Sequence, residues 1–545
     1  MRVVTSNAND DFRVKAYAGT NGVLLAMDLA ESRRQDFLGF AIQRKVGRSW
    51  QWLFNSLSFP GVAHTRPEWN ATPSNLAPIQ KFRWADYTRD PGETCRYRVH
   101  LAQAPFDPPR LGEMLEIVVK TDDGQPPDHA VHFNRAVAAS QAFGRNFPDL
   151  DAQLSENKRL PIEAWPSEPR DWLQHGLLDR VVEHINRAKD DTWALDVAIY
   201  EYELAEIADA VNAAHDRGAH VRVLYHAKRG DEQTAANEES LTHLPSAHKR
   251  ARVTSKIFHD KFIVLSKLVR GERRPQSVLC GSTNFTENGL YRQANVVHVV
   301  NDAAVSARYL DVFQVVWDAP TDVGAARTWI NQHNQIDRSA LFAGFSPRSG
   351  QTDLDAFVEV VNGARHDVLF ATAFQLPERV LDALLGRPHD DVLRYGIQNT
   401  KSRITGFHAD RTAEFAATAL LPTGLEGWIK EGLRGQRGNL LIHLKAIVAD
   451  FTSDAPTVIS GSHNLSVPAS ESNDENYLII RGDRDLADRY GLELLRFYDH
   501  YRFRYYAKLL KLKEAQPLTT DGSWADDYYR DGSLKSLSRL RFAGR

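Results

Sequence analysis

The stretch His443-Leu-Lys-Ala-Ile-Val-Ala-Asp450 places an imidazole, an ammonium group and a carboxylate on a short apolar run. Residues two apart in a strand point to the same face, so His443 and Lys445 project together. A core strand gains nothing from such groups, because burying an unpaired charge is unfavourable. Shortly afterwards the chain reads Gly461-Ser-His-Asn464. The pattern therefore predicts a reactive site on this strand.

The same pattern occurs one repeat length earlier in the chain. Residues 257–265 read Ile-Phe-His-Asp-Lys-Phe-Ile-Val-Leu, and residues 281–284 read Gly-Ser-Thr-Asn. The surrounding segments repeat as well, since LDRVVEHINRAKDD before the strand-like WALDVAIYEY is similar to LDAFVEVVNGARHD before VLFATAFQL. Helical and strand periodicity alternate here, which favours mixed or parallel sheets covered by helices. The motif is thus duplicated inside a duplicated unit.

These patterns predict three parts. Short strands with polar or Gly/Pro breaks, such as FRVKAYAG and CRYRVHLAQ, predict an N-terminal all-β, sandwich-like domain at 1–165. The two α/β halves are expected at 166–340 and at 341–545, the second with a C-terminal helix. The predicted fold class is α/β, with two pseudo-symmetric halves on mixed β-sheets in addition to the N-terminal β domain. The residues of that β domain do not indicate its role.

Composition narrows the functional classes. The 545 residues contain 67 Lys and Arg against 70 Asp and Glu, so a polyanionic partner must be bound by a local basic patch. The N-terminus has no secretory signal, and no apolar run is long enough to span a bilayer. Cys95 and Cys280 are far apart and belong to no Cys/His cluster, which argues against a zinc site. We expect a soluble, cytoplasmic protein.

The duplicated motif resembles the HxKxxxxD signature of the phospholipase D superfamily, which occurs twice in such chains and is followed by Gly-Ser-x-Asn. The resemblance covers about residues 170–500. The second copy, with Asp450, matches fully, whereas the first has Ser266 at the aspartate position. Glu475–Asn476 match a pair that is common in the superfamily, and the first copy has Ala294–Asn295 instead.

The residue types suit cleavage of a phosphodiester. This reaction needs charge neutralisation, attack on phosphorus and protonation of the leaving oxygen. Lysines and amides can bind the phosphate, one histidine can form a phosphohistidine, and the other can act as acid and base, with no metal or cofactor. The resemblance implies that His259 is the nucleophile and His443 the acid/base. The candidate catalytic residues are His259, Lys261, Asn284, His443, Lys445, Asp450 and Asn464, and the candidate substrate-binding residues are Ser282, Ser462 and Glu475.

Simpler structural roles compete with some of these assignments. Asp450 could merely end its strand, and both serines could be turn residues only. Basic clusters near both copies favour a polyanionic backbone over a lipid, although each cluster could equally be a solvated loop face. The clusters are Lys249, Arg250 and Arg252; Lys267, Arg270, Arg273 and Arg274; and Lys430, Arg434 and Arg437.

The substrate is predicted less directly than the reaction. The segment GSTNFT is more similar to superfamily nucleases than to phospholipases. The favoured hypothesis is therefore a metal-independent phosphodiesterase that acts on nucleic acid. The alternatives are a phospholipase D or phosphatidyl transferase, and a catalytically weak binding protein that has lost turnover because of Ser266.

Overall fold

The computed structural model describes residues 1–67, 70–124, 126–135, 141–157, 160–253, 256–385, 390–399, 406–408, 413–417, 442–509 and 516–545. The strands of the first part are β1 (Arg2–Ser6), β2 (Phe12–Ala18), β3 (Val23–Leu29), β4 (Phe37–Val46), β5 (Ser49–Trp52), β6 (Phe54–Asn55), β7 (Thr72–Pro73), β8 (Arg83–Asp86), β9 (Thr94–Gln103) and β10 (Arg110–Lys120).

Two four-stranded antiparallel sheets, in the orders β1-β2-β3-β8 and β10-β9-β4-β5, face each other across one apolar core. In β2 the side chains of Phe12, Val14 and Ala16 are buried, while Arg13 and Lys15 are partly exposed. This is the period-two pattern of a strand with one face on a core. The sandwich-like N-terminal domain predicted from the sequence is confirmed.

A seven-stranded mixed sheet follows, in the order β11-β17-β16-β15-β12-β13-β14. The pairs β12–β13 and β13–β14 are parallel, and the other pairs are antiparallel. Its strands are β11 (His129–Phe133), β12 (Trp193–Ile199), β13 (His220–Ala227), β14 (Lys249–Val253), β15 (Lys261–Val269), β16 (Glu272–Gly281) and β17 (Val296–Val300).

An eight-stranded mixed sheet has the order β18-β25-β24-β23-β19-β20-β22-β21. Strand by strand it repeats the first mixed sheet, from β18 in place of β11 to β22 in place of β14, and β21 is an addition. The two α/β halves predicted from the duplicated sequence are therefore confirmed. The strands are β18 (Leu341–Ser346), β19 (Asp367–Thr372), β20 (Leu393–Gln398), β21 (Gly406–His408), β22 (Ala413–Ala417), β23 (Ala446–Ala449), β24 (Thr457–Gly461) and β25 (Glu475–Arg481).

Helices cover both mixed sheets, so that β12 and β19 are almost wholly buried. The largest apolar core includes residues of both mixed sheets and of the helices at 303–318 and 484–509. The helices are α1 (Gln141–Asn146), α2 (Pro148–Glu156), α3 (Ser167–Gln174), α4 (Leu177–Asn186), α5 (Ala205–Asp216), α6 (Glu232–Ser240), α7 (Ala303–Asp318), α8 (Val323–His333), α9 (Thr352–Gly363), α10 (Glu378–Leu385), α11 (Val467–Glu471), α12 (Arg484–Leu509), α13 (Asp526–Tyr529) and α14 (Leu534–Ala543). No helix within the described residues has the length and apolarity needed to cross a membrane.

The domain boundaries after residues 165 and 340 remain predictions. Two segments of the chain pack against a part other than the one to which the sequence assigns them. Strand β11, which the sequence places in the N-terminal part, pairs with β17 at the edge of the first mixed sheet. Residues near the C-terminus return to the N-terminal sandwich, where Ala525 belongs to the core and Trp524 packs against it. The indole nitrogen of Trp524 donates to the carbonyl oxygen of Phe37 at 3.0 Å.

We expect Trp524→Ala to lower the free energy of unfolding by about 3 kcal/mol, because it removes a large aromatic group from the edge of the sandwich core. Trp524→Phe is the matched control. It keeps an aromatic ring and loses the N–H donor, so its cost should be about 1 kcal/mol. Urea denaturation of both variants measures the difference. Equal losses would show that the ring packing is unimportant.

Candidate active site

The two His-x-Lys segments meet because each half of the molecule binds the backbone of the other. The N–H of His259 donates to the carbonyl oxygen of Asp474 at 2.8 Å, and the N–H of His443 donates to that of Ala294 at 3.1 Å. Asp474 and Ala294 lie just before β25 and β17, which occupy equivalent positions in the two sheets. The paired bonds are therefore related by a pseudo-twofold axis.

The two imidazoles are buried, and their ring centroids are 6.4 Å apart. His259 Nδ1 lies 2.7 Å from Glu475 Oε2, and His443 Nδ1 lies 2.9 Å from Asn295 Oδ1. Since each Nδ1 faces an acceptor, we assign the ring proton to Nδ1 in both residues. This tautomer leaves the Nε2 lone pair of each histidine available to react.

Each motif serine donates a hydrogen bond to the residue that also accepts from a motif histidine. Ser282 Oγ donates to Asn295 Oδ1 at 2.8 Å, and Ser462 Oγ donates to Glu475 Oε2 at 2.7 Å. Asn295 is therefore the structural counterpart of Glu475, whereas the sequence alignment placed Ala294 there. The correction matters because one histidine is paired with a carboxylate and the other with a neutral amide.

The lysines supply positive charge in a buried setting. Both side chains are 1% exposed. Lys261 Nζ donates to the carbonyl oxygen of His259 at 2.8 Å, and Lys445 Nζ has no hydrogen-bond partner among the described residues. Burial lowers the pKa of Lys261 to about 8, and burial together with the nearby Lys261 charge lowers the pKa of Lys445. An anion placed between these groups would favour their charged forms.

The histidines are kept neutral by the same environment. Burial, followed by the charges of both lysines, holds the pKa values of His259 and His443 well below the usual value. Burial raises the pKa of Glu475 to about 7, against the opposing effects of His463 and Lys261. A neutral imidazole is the nucleophilic form of this side chain.

The two asparagines of the motifs differ in their surroundings. Asn284 Nδ2 donates to a carboxylate oxygen of Glu201, and the side-chain oxygens of both Asn284 and Asn464 are buried without a partner among the described residues. Sequence reasoning missed Glu201, although it lies just beyond β12, the neighbour of β15, and hence at the same sheet edge. Extending the strand registers places the exposed Phe374 at the equivalent position in the second half.

Asp450 does not belong to this cluster. Its Oδ1 accepts the N–H groups of Arg365 and His366 at 2.8 and 2.7 Å. It follows β23, so it lies about 16 Å along the strand from Lys445 at about 3.3 Å per residue. Ser266, at the equivalent place in β15, is also buried away from the motif histidine. The structure thus places Asp450, a candidate catalytic residue in the sequence, apart from the other candidates, and Ser266 removes no group from their cluster.

Several residues of the basic clusters are also structural. Arg252 is buried and binds the carboxylate of Asp474 with two nitrogens, at 3.1 and 2.9 Å. Arg250 donates to the carbonyl oxygen of Trp317, and Arg273 pairs with Asp196. Lys430, Arg434 and Arg437 lie outside the described residues. Different basic side chains, Lys228, Arg229 and Lys256, are exposed just beyond β13 and before His259.

One group of side chains in the described part of the chain has ligand atoms close enough for a metal ion. The ligand atoms of His215, Asp216 and His243 lie within 4.8 Å of one another. This group lies near the start of β13 and thus at the opposite edge of the sheet from the histidine pair. It has no part in the chemistry described above.

Comparison with known proteins agrees with this arrangement. Residues 181–317 match the family model described as cardiolipin synthase, PLD-like domain. The mitochondrial cardiolipin hydrolase of Drosophila melanogaster is 25% identical over 152 residues, which cover 26% of this chain and 58% of that relative. The chain therefore spans less than two thirds of this relative's length.

Solved structures show weaker similarity. Phosphatidylserine synthase from Haemophilus influenzae Rd KW20 is 13% identical with a TM-score of 0.44, covering 68% of this chain and 94% of that chain. Nuc from Salmonella typhimurium, a phospholipase D family member, is 22% identical with a TM-score of 0.21, covering 26% and 86%. Yeast tyrosyl-DNA phosphodiesterase is 12% identical with a TM-score of 0.31, covering 54% and 84%.

The matched family model and the curated relative define the class of this protein: it contains a PLD-like domain. Both matches support the resemblance to the phospholipase D superfamily that the doubled motif indicated.

We expect Asp450→Ala to lower the free energy of unfolding by about 1 kcal/mol, because the exposed amide of Arg365 and the half-buried amide of His366 lose their acceptor. Asp450→Asn keeps one side-chain oxygen and should recover part of the loss. Thermal and urea unfolding measure both variants. A variant of unchanged stability would contradict the anchoring role that the two amide contacts indicate.

Proposed function

We propose that the protein is a metal-independent phosphodiesterase that acts through a covalent phosphohistidine. The observation that carries this proposal is the pair of buried, neutral imidazoles facing each other beside two buried lysines. The lysines would neutralise the non-bridging oxygens, which is the principal need of phosphoryl transfer. Lys445 is well suited to this role because its ammonium group has no partner among the described residues.

The partners of the histidines support a division of labour. When His259 Nε2 attacks phosphorus, a P–N bond forms, the P–O bond to the leaving group breaks, and the imidazole becomes positively charged. The carboxylate of Glu475 at Nδ1 stabilises this charge. The amide of Asn295 gives His443 less support as a cation, which suits a residue that must release its proton. We therefore assign His259 as nucleophile and His443 as acid/base.

The second half of the reaction regenerates the site. His443 first donates a proton to the leaving oxygen, for which the bound phosphate's negative charge raises its proton affinity. As a neutral imidazole it then takes a proton from water. The water oxygen attacks phosphorus, the P–N bond breaks, and His259 is released. Asn284 and Asn464 are proposed to hold the phosphoryl oxygens, with Glu201 fixing the orientation of Asn284.

Nucleic acid is the substrate that we favour. Three exposed basic residues lie near the site: Lys228 and Arg229 directly follow β13, and Lys256 precedes His259. From these positions they can contact a phosphate backbone. Phe374 is 47% exposed at the corresponding edge of the second half, where its ring can stack on a base. Together these side chains supply the charge and the stacking surface that single-stranded nucleic acid requires.

A phospholipid headgroup is the second candidate. The matched relative is named a cardiolipin hydrolase, and Ile257 and Phe374 form exposed apolar positions beside the motif residues. Such positions can also contact acyl chains. The two candidates share the phosphodiester chemistry and differ only in what the rim of the site binds.

The first experiment tests the covalent step and the substrate together. The protein is incubated in EDTA with end-labelled single-stranded and duplex oligonucleotides and quenched in alkali, which preserves phosphohistidine. We expect cleavage, with His259→Ala and His443→Ala lowering kcat by about 10²–10⁴-fold or more. His243→Ala is the matched control, because this exposed histidine lies away from the site.

A substrate with an activated leaving group separates the two histidines. A p-nitrophenyl phosphodiester needs no proton at the leaving oxygen, so His443→Ala should still release one equivalent of nitrophenol and retain the phosphoryl adduct. His259→Ala should give neither product. An adduct in His259→Ala would reverse the assignment. Transfer of a phosphatidyl group from phosphatidylcholine to ethanol, with no oligonucleotide cleavage, would decide for the lipid substrate.

The pH profile tests the lysines. Because the pKa of Lys261 is lowered to about 8, kcat/KM should fall about tenfold per pH unit above that value as the ammonium group loses its charge. Lys261→Arg should be less active and should lose the part of the alkaline decline that is due to Lys261, since a guanidinium stays charged. An unchanged decline in Lys261→Arg would assign it to another group.

A further inference from the structure

A cavity of about 190 Å³ lies where the N-terminal sandwich, the first mixed sheet and helix α12 meet. Its walls include the turn between β2 and β3 at residues 19–22, the end of β11 at residues 131–133, and Arg489 of α12. The residues that line it are different from those of the candidate active site. It is therefore a separate feature of the fold.

Several polar atoms of the lining residues are buried and have no hydrogen-bond partner among the described residues. Buried polar groups in folded proteins are nearly always hydrogen-bonded, so a concentration of exceptions in one cavity indicates an absent partner. Arg489 is the most informative because its side chain carries a charge and is only 4% exposed. The atoms are Arg489 Nε and Nη1, Thr20 Oγ1, Tyr87 Oη, His132 Nε2 and Asn21 Oδ1.

The chemistry of these atoms selects the kind of partner. The guanidinium and the two hydroxyls are donors, and one nitrogen of Arg489 is already paired with Asp122. Of the two acidic lining residues, Glu493 accepts two hydrogen bonds from Arg496, and Asp123 is exposed. Burial, together with nearby arginines, lowers the pKa values of His132 and His175 to about 3, so both are neutral. The unpaired donors thus call for a ligand rich in acceptors.

We propose that this cavity binds a small oxyanion, a carboxylate or a phosphate, which accepts hydrogen bonds from Arg489, Thr20 and Tyr87. The volume is below the range of about 300–1,000 Å³ that drug-sized ligands occupy, which favours a ligand of few atoms over a nucleotide or a lipid. The anion would contact the N-terminal sandwich and helix α12, which adjoin only in the folded state. Its binding therefore stabilises the fold by mass action.

The test uses inorganic phosphate and oxalate as probes, with calorimetric titration and thermal unfolding of the full chain. Phosphate can also bind the lysines of the active site, so Lys445→Ala provides a background in which that second site is weakened. In that background we expect saturable one-to-one binding of at least one probe. Tyr87→Phe and Thr20→Val should each weaken it about tenfold, since each removes one donor to a charged ligand. Ser349→Ala, at an exposed serine, is the control.

Arg489→Gln is a supporting variant only, because it also breaks the pair with Asp122. The conservative variants Tyr87→Phe and Thr20→Val keep that pair, and circular dichroism verifies that they fold. Absence of saturable binding in the Lys445→Ala background would overturn the proposal and leave water as the partner of the unpaired groups. Binding unaffected by Tyr87→Phe and Thr20→Val would place the anion elsewhere and overturn it equally. Neither outcome depends on catalysis, so the proposed function stands or falls separately.

Discussion

The reciprocal backbone contact between the two halves determines the rest of the arrangement. Each motif histidine donates its N–H to the carbonyl oxygen of a residue that precedes a strand of the other half, Asp474 for His259 and Ala294 for His443. The same contact brings each imidazole beside the residue that follows in the partner half, Glu475 or Asn295. Neither half could therefore form the site alone. The buried ion pair of Arg252 with Asp474 fixes one side of this contact, and breaking such a pair is costly.

Duplication produces symmetry, but the proposed reaction through a phosphohistidine needs two different histidines. The backbones of the two halves are arranged symmetrically around the site, whereas several side chains at equivalent positions differ. Glu475 has the neutral counterpart Asn295, and Glu201 has the apolar counterpart Phe374. The carboxylates therefore lie around the His259 side of the site. This uneven charge gives one imidazole the better support as a cation and leaves the other freer to exchange its proton.

The sequence predicted the duplicated α/β halves and the meeting of the two His-x-Lys segments, because both follow from local periodicity and repeated motifs. The sequence did not predict the features of the site that depend on strand register or on contacts between distant segments. The pairing of Ser282 with Asn295 shifted the alignment by one residue. Asp450 belongs to the motif, but it lies at the far end of β23 from the site, where it accepts hydrogen bonds from two backbone amides. The basic residue Arg252 lies near the motif in sequence, but it forms a buried ion pair with Asp474. Glu201 gave no motif signal at all.

The closing of the sandwich core by residues 524–529 bears on how the protein folds. Trp524 and Tyr529 bind carbonyl oxygens of Phe37 and Leu29, and Ala525 lies inside the core that these strands build. Domains usually fold during synthesis from the N-terminus onward. In this protein the N-terminal sandwich is synthesised first, but residues 524–529, which close its core, are synthesised after both α/β halves. The apolar edge of the sandwich is therefore exposed while the two halves are made. Contacts over such sequence separations slow folding. The sandwich should therefore be the last part to become stable, and the part most dependent on chaperones.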